Sequence, residues 1–207
     1  TFRTRETADL FLVLIMQLLK AGGRAAVVLP DGFLFGEGIK TRIKEKLLEE
    51  CNLHTIVRLP NSVFAPYTGI KTNLLFFTKG APTQHIWFYE HQLPAGVKAY
   101  NKTRPMKVDE FAPLEKWWGK EKDGFKKRVE NKQAWKVSLD DIKARNYNLD
   151  CKNPHVGEQE IHDPEVLLAQ YQTMQRDISA LREQLKGILG AALGPATPSV
   201  KKKGSKA

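Results

Sequence analysis

Apolar positions along the chain change their period several times, and each change marks an element. Residues 7–20 carry Leu10, Phe11, Val13, Leu14, Ile15, Leu18 and Leu19. That density predicts a helix apolar on most faces, and therefore one buried against a sheet. Ala21-Gly22-Gly23 stops it, as glycine past a last helical turn does. Residues 24–29 (RAAVVL) form a continuous apolar run ending at Pro30, the pattern of a buried parallel strand. After a turn at Asp31-Gly32 and the run Phe33-Leu34-Phe35, residues 39–51 predict an amphipathic helix. Ile39, Ile43, Leu47 and Leu48 share its buried face, with Lys40, Arg42, Lys44 and Lys46 elsewhere. Residues 54–59 predict the next strand, 74–77 the centre of another, and 84–90 (QHIWFYE) an edge-like strand. This order predicts an α/β fold with a largely parallel sheet. The connection 60–73 is too short for a crossover, so the strands flanking it are expected to pair antiparallel.

The stretch 59–79 (LPNSVFAPYTGIKTNLLFFTK) organises the rest. Between two strands it holds Phe64, Pro66, Tyr67 and Gly69, and Pro66 and Gly69 both break regular structure. Two readings follow from the residues. In one, the stretch is a hairpin whose Phe64 folds back onto the sheet. In the other, the ring is presented outward from a loop on a rigid scaffold, where binding and chemistry usually sit.

From 93 to 150 the periodicity weakens. Pro94, Gly96, Pro105, Pro113 and Gly119 interrupt it, and Trp117, Trp118, Phe125 and Trp135 suggest a small irregular cluster packed on the sheet. The mixed charges between Glu115 and Glu130 read as a solvated face, and 140–145 as a short helix. The clearest helix opens at Asp163, a good N-cap, with Pro164 in the first helical position. Its apolar residues fall at Leu167, Tyr171, Met174, Ile178, Leu181, Leu185 and Ile188, alternating steps of four and three, which is a heptad seam. Such a seam serves either its own domain or a helix of a partner, and the polar linker before it favours the partner. These readings divide the chain into a sheet region (1–92), an irregular aromatic region (93–150), a linker (151–162), an interaction helix (163–193) and a disordered basic tail (194–207).

Composition then narrows the function classes. The net charge of +10 includes four lysines in the tail, yet the body is still basic, which favours DNA or RNA over a membrane as partner. Cys51 and Cys151 lack metal or disulfide spacing and fit a reducing cytoplasm. The apolar run 10–19 is too short to span a bilayer. The histidines are scattered, with no Ser/His/Asp set, no paired carboxylates, and no phosphate-binding glycine loop. The chain begins at Thr1 without a methionine, which suggests a processed or truncated piece. On the residues alone, this is a soluble basic α/β protein with a C-terminal interaction helix.

The runs GGRAAVVLPDGFLFGEG and IVRLPNSVFAPYTGIKTNLLFFTKG, with WWGKEKDGF, ENKQAWKVS and ARNYNLDCKNP after them, closely resemble the C-terminal part of the modification (M) subunit of type I restriction–modification systems. These are adenine-N6 DNA methyltransferases. The resemblance implies the later half of a Rossmann-like sheet, one parallel strand plus an antiparallel pair. It implies S-adenosylmethionine as cofactor of the whole enzyme. The family's glycine-rich cofactor loop and Asn-Pro-Pro motif do not occur here, since Asn153-Pro154 is followed by His155. The expectation is a cytoplasmic protein, inactive as this chain alone.

The resemblance also gives residues their roles. Phe64 is expected to stack on an adenine flipped out of double-stranded DNA, with Tyr67 as the alternative stacker, and Arg58 and Lys71 to contact phosphate. Taking a base out of the stack costs a few kcal/mol, part of which an aromatic face returns. The seam from Leu167 to Ile188 would pack on helices of the specificity (S) subunit, in an assembly with a second M subunit and the restriction (R) subunit. Without its first four strands the sheet would have an unpaired edge at 24–29, so the isolated chain is expected to self-associate or to cover that edge irregularly.

Overall fold

A computed structural model describes residues 4–155 and 164–193. The chain divides into two units, Thr1–Gly157 and Glu158–Ala207. In the first unit, helix α1 (Thr7–Leu18) leads into strand β1 (Arg24–Pro30), a short helix α2 (Asp31–Phe35) and helix α3 (Ile39–Glu50). Strands β2 (Cys51–Arg58), β3 (Thr72–Lys79) and β4 (His85–Glu90) follow, then helix α4 (Ala112–Trp118), strand β5 (Ala134–Ser138) and helix α5 (Leu139–Ala144).

Among the described residues five strands form one sheet in the order β1-β3-β2-β4-β5. β2 and β3 are antiparallel, as the short connection required. β1 is antiparallel to β3, β4 parallel to β2, and β5 antiparallel to β4. β1, β2 and β4 therefore run one way and β3 and β5 the other. The expectation of a largely parallel sheet is corrected to a mixed one with a single adjacent parallel pair. Nor is the 84–90 strand an edge, because β4 hydrogen-bonds on both sides. The fifth strand comes from the region read as irregular: Trp135 lies in β5 and its indole stacks on Phe88 at 5.5 Å.

One face of the sheet is covered by α1 and α3. Leu12, Val13 and Met16 of α1 and Ile43, Leu47 and Leu48 of α3 pack with Leu29, Ile56, Phe77, Phe88 and Trp135. The predicted face of α3 is thus the buried one, but Lys44 is buried with it. Its ammonium donates to the carbonyls of Leu34 (2.8 Å) and Gly36 (2.9 Å), satisfying the end of α2. Burial without a bonded carboxylate lowers its pKa to about 8. α1 is not buried on most faces, for Leu10, Phe11, Leu14 and Leu18 are exposed. β1 likewise alternates between covered Ala25, Val27 and Leu29 and exposed Arg24, Ala26 and Val28. Both elements lie at the end of the sheet where β1 has no further strand among the described residues.

The opposite face carries the second cluster, in which Val57, Leu59, Tyr89, Leu114 and Ala134 meet Val63, Leu74, Phe76, Met106, Phe111, Trp117 and Trp118. Arg128, read from the sequence as part of a solvated face, is instead threaded through this cluster. It is 5% exposed, with its guanidinium 3.7 Å from the Phe125 ring centre and hydrogen bonds to Trp118 O (2.8 Å) and Thr55 Oγ1 (2.8 Å). Cation–π contact with the rings of Trp117, Trp118 and Phe125 stabilises a charge at such a depth. A cleft of about 960 Å³ opens beside it, lined by Ala25, Ala26, His54, Phe76, Trp118 and Phe125.

In the second unit helix α6 spans Pro164–Leu193. Asp163, most of the linker and the basic tail lie outside the described residues.

Candidate functional site

Ligands of α/β sheets bind outside the carboxyl ends of the parallel strands. Here those ends are Pro30 of β1, Arg58 of β2 and Glu90 of β4. The register brings them together: Asn73 at the start of β3 is paired with Leu29 on one side and Arg58 on the other, and Arg58 pairs with Glu90. The loop 59–71 stands on this row.

Its roots are tied down. Leu59 N–H donates to Thr72 O at 3.1 Å, closing the neck, and Asp31 N–H donates to Lys71 O at 2.8 Å. The Asp31 carboxylate accepts from the Asn73 amide at 3.0 Å and lies 3.4 Å from the Arg58 guanidinium. Arg58 also pairs with Asp150 at 2.7 Å and donates to Cys151 O at 3.0 Å. Within the loop, consecutive turns are made by Ala65 N–H to Ser62 O (3.0 Å) and Tyr67 N–H to Phe64 O (2.9 Å). Ser62 takes the left-handed conformation, at φ 71°, and the Ala65–Pro66 bond is cis.

This architecture separates the predicted residues. Val63, not Phe64, turns inward onto the second apolar cluster. Phe64 is 41% exposed and Tyr67 91%, so both rings are available at the carboxyl end of the sheet. Phe64 is the less exposed of the two. Lys71 is exposed. Arg58 is 15% exposed in its side chain and holds two carboxylates and a carbonyl, so its charge is engaged within the fold. Sequence reading missed Asp31, Asn73 and Asp150, the groups that hold the loop. The one available signal was an Asp directly after the proline that ends a strand, at the end where open α/β sheets bind ligands.

The same groups do not fit a cofactor cradle. The Asp31 carboxylate is held by Asn73 and Arg58, its N–H by Lys71 O, and Glu90 by the Asn153 amide at 3.0 Å. Among the described residues at this end of the sheet, no free carboxylate and open amide pair stand together to receive the ribose and amino-acid ends of S-adenosylmethionine. Among the described residues no cluster of His, Cys, Asp or Glu could hold a metal ion, and no helix is long and apolar enough to cross a membrane.

The seam of α6 is exposed wherever its side chains are described. Tyr171, Met174, Leu181, Leu185 and Ile188 are 57–66% exposed and Ile178 39%. Leu167's side chain lies outside the described residues.

The mixed sheet, with an aromatic-bearing loop over the carboxyl ends of its parallel strands, is of the α/β class. The family model of N-6 DNA methylases matches residues 1–163, and the chain belongs to that family. It is 68% identical over 191 residues, 92% of this chain, to the type I restriction enzyme EcoEI methylase subunit of Escherichia coli. It is similar in structure to a modification subunit of a putative type I restriction enzyme from Vibrio vulnificus YJ016, with a TM-score of 0.67 and 48% identity, over 74% of this chain and 33% of that one. It is also similar to the EcoKI M protein, with a TM-score of 0.65 and 29% identity, over 92% and 46% of the two chains. The chain spans 39% of the length of the EcoEI relative.

Proposed function

We propose that this chain provides the target-base platform and the assembly helix of a type I adenine-N6 DNA methyltransferase. The observation that carries this reading is Phe64, 41% exposed on a loop whose neck is closed from Leu59 to Thr72 and whose far root, at Lys71 and Asn73, is fastened to Asp31 directly after β1. A ring so placed can receive an extruded adenine, and base–aromatic stacking is worth roughly 1–3 kcal/mol. Tyr67 is the second candidate. S-adenosylmethionine supplies the methyl group in the whole enzyme, and the chain's own residues position the base. The open edge of β1 and the exposed apolar residues of α1 are consistent with further strands of the complete sheet seated there.

The long exposed seam of α6 supports docking on helices of a specificity subunit, within a cytoplasmic assembly that also holds a second M subunit, a restriction subunit and double-stranded DNA. It also favours a second reading, a non-enzymatic interaction module acting through α6 alone. The decisive experiment uses the full-length subunit, co-purified with its specificity subunit and assayed for methyl transfer to adenine with wild type and Phe64→Ala. Loss of transfer with retained assembly supports the platform. Unchanged transfer refutes it, and a wild-type complex that assembles but transfers nothing leaves the module reading.

A further inference from the structure

From His91 to Val108 the chain has no acidic residue and carries Lys98, Lys102, Arg104 and Lys107, all four exposed. The segment is irregular, yet it is fastened to the loop that carries Phe64. Tyr100, 3% exposed, donates its backbone N–H to Ser62 Oγ at 2.8 Å. Ser62 is the left-handed residue two positions before Phe64. The Tyr100 hydroxyl donates to Glu110. Met106 and Val63 rest on the same apolar cluster, so the two segments share a foundation as well as a hydrogen bond.

Asn101 shapes the tip. Its side-chain oxygen accepts from the backbone N–H groups of Thr103 (3.0 Å) and Arg104 (2.8 Å), while the Asn101 and Arg104 backbones pair at 3.1 Å in both directions. This tight turn holds Lys102 and Arg104 outward at the end of the segment. The nearest bonded carboxylate, Glu110, is occupied by the Tyr100 hydroxyl and by Lys107 N–H at 3.1 Å. Arg104 feels the charge of Glu110, and Asp109 is the other acidic neighbour in sequence, but none of the four cations makes an ion pair within 4.0 Å among the described residues. Arg58, by contrast, is neutralised inside the fold by Asp31 and Asp150.

We propose that Lys98, Lys102, Arg104 and Lys107 form a phosphate-binding surface for double-stranded DNA beside the base held on Phe64. This rests on the reading of Phe64 as the target-base platform. A flipped nucleotide remains joined to its backbone, so its neighbouring phosphates must come to the rim of the site that takes the base. Four unpaired cations on a segment bonded to that loop at Ser62 stand at this rim. Contacts of this type position the duplex without reading its sequence. They release counterions, so binding through them weakens as salt rises, by a slope of about 0.9 per phosphate neutralised.

The test measures duplex affinity against salt concentration for the full-length subunit assembled with its specificity subunit. Lys102→Gln with Arg104→Gln, and separately Lys98→Glu with Lys107→Glu, are compared with wild type and with Phe64→Ala. The expected result for the first pair is weaker binding to specific and unrelated duplexes alike, with the log–log slope reduced by about two. The charge-reversed pair should lose more, and Phe64→Ala should keep the wild-type slope. Wild-type affinity and slope in both double variants, in a complex that methylates normally, overturns the proposal. A reduced slope in the double variants, when the wild-type complex itself transfers no methyl group, keeps the surface and removes the methyltransferase reading instead.

Discussion

The Arg58 guanidinium sits 2.7 Å from the Asp150 carboxylate, joining the end of a central strand to the segment that follows the last helix of the first unit. Asp31 approaches the same group at 3.4 Å. The cation therefore belongs to the scaffold under the Phe64 loop. Removing it leaves two part-buried carboxylates short of a partner, and hydrogen bonds to charged groups contribute about 1.5–3 kcal/mol each. Arg58→Ala is expected to lower the unfolding free energy of this chain by an amount in that range, read as a lower urea midpoint with an unchanged slope. A variant with wild-type stability but a weaker salt dependence of DNA binding would return Arg58 to the role of phosphate contact.

His54 predicts a pH dependence. Burial, and then the nearby Arg128, push its pKa from 6.5 down to about 4, and its Nδ1 lies 2.7 Å from Thr55 Oγ1. Between those values the unfolded chain takes up a proton that the native imidazole does not. Stability from this group is complete above pH 6.5 and is lost as the pH falls toward 4, by up to ~3 kcal/mol. His85 and His91 shift in the same direction, each mainly through burial, so some slope remains without His54. Urea midpoints at pH 7.5 and 5.0 should differ clearly for wild type and less for His54→Gln.

The two exposed rings on the loop should differ in their effect on methyl transfer. Phe64→Ala is expected to reduce kcat/KM of the assembled enzyme about 5- to 150-fold, the equivalent of 1–3 kcal/mol of stacking. Phe64→Trp should retain most activity, because it keeps an aromatic face. Tyr67, 91% exposed, should matter less than Phe64. A larger loss in Tyr67→Ala would exchange their roles.

Charges placed in the α6 seam should act on assembly alone. Ile178→Asp with Leu181→Asp is expected to abolish co-purification with the specificity subunit. The unfolding transition of the first unit should not move, since α6 belongs to a separate unit. Retained complex formation would count against the seam as the docking surface.

The exposed edge of β1 carries a concentration-dependent expectation. An unpaired strand edge recruits another strand, and Val28 on it is 50% exposed. The chain by itself should self-associate in sedimentation experiments, and Val28→Lys should shift it toward monomer. A monomer at all concentrations would show that the edge is covered.

Periodicity alone determined most of the elements and one pairing. The face of α3, the antiparallel β2–β3 pair and the seam of α6 follow from spacing, because a helix and a strand each repeat on a length shorter than any tertiary contact. The resemblance of whole runs, not any single residue, pointed to the methyltransferase family. Tertiary structure decided what depends on residues distant in sequence. It placed Trp135 in a strand beside Phe88, drew Lys44 and Arg128 inside, and left one side of α1 bare. Above all it fastened the loop: Asp31, Asn73, Arg58 and Asp150 come from four separate segments, and nothing in the local pattern of any one of them indicates the other three. A charged side chain near a strand end reads as solvated surface until the fold supplies its counter-ions. Here the counter-ions are Asp31 and Asp150, which tie Arg58 into the scaffold beneath the Phe64 loop.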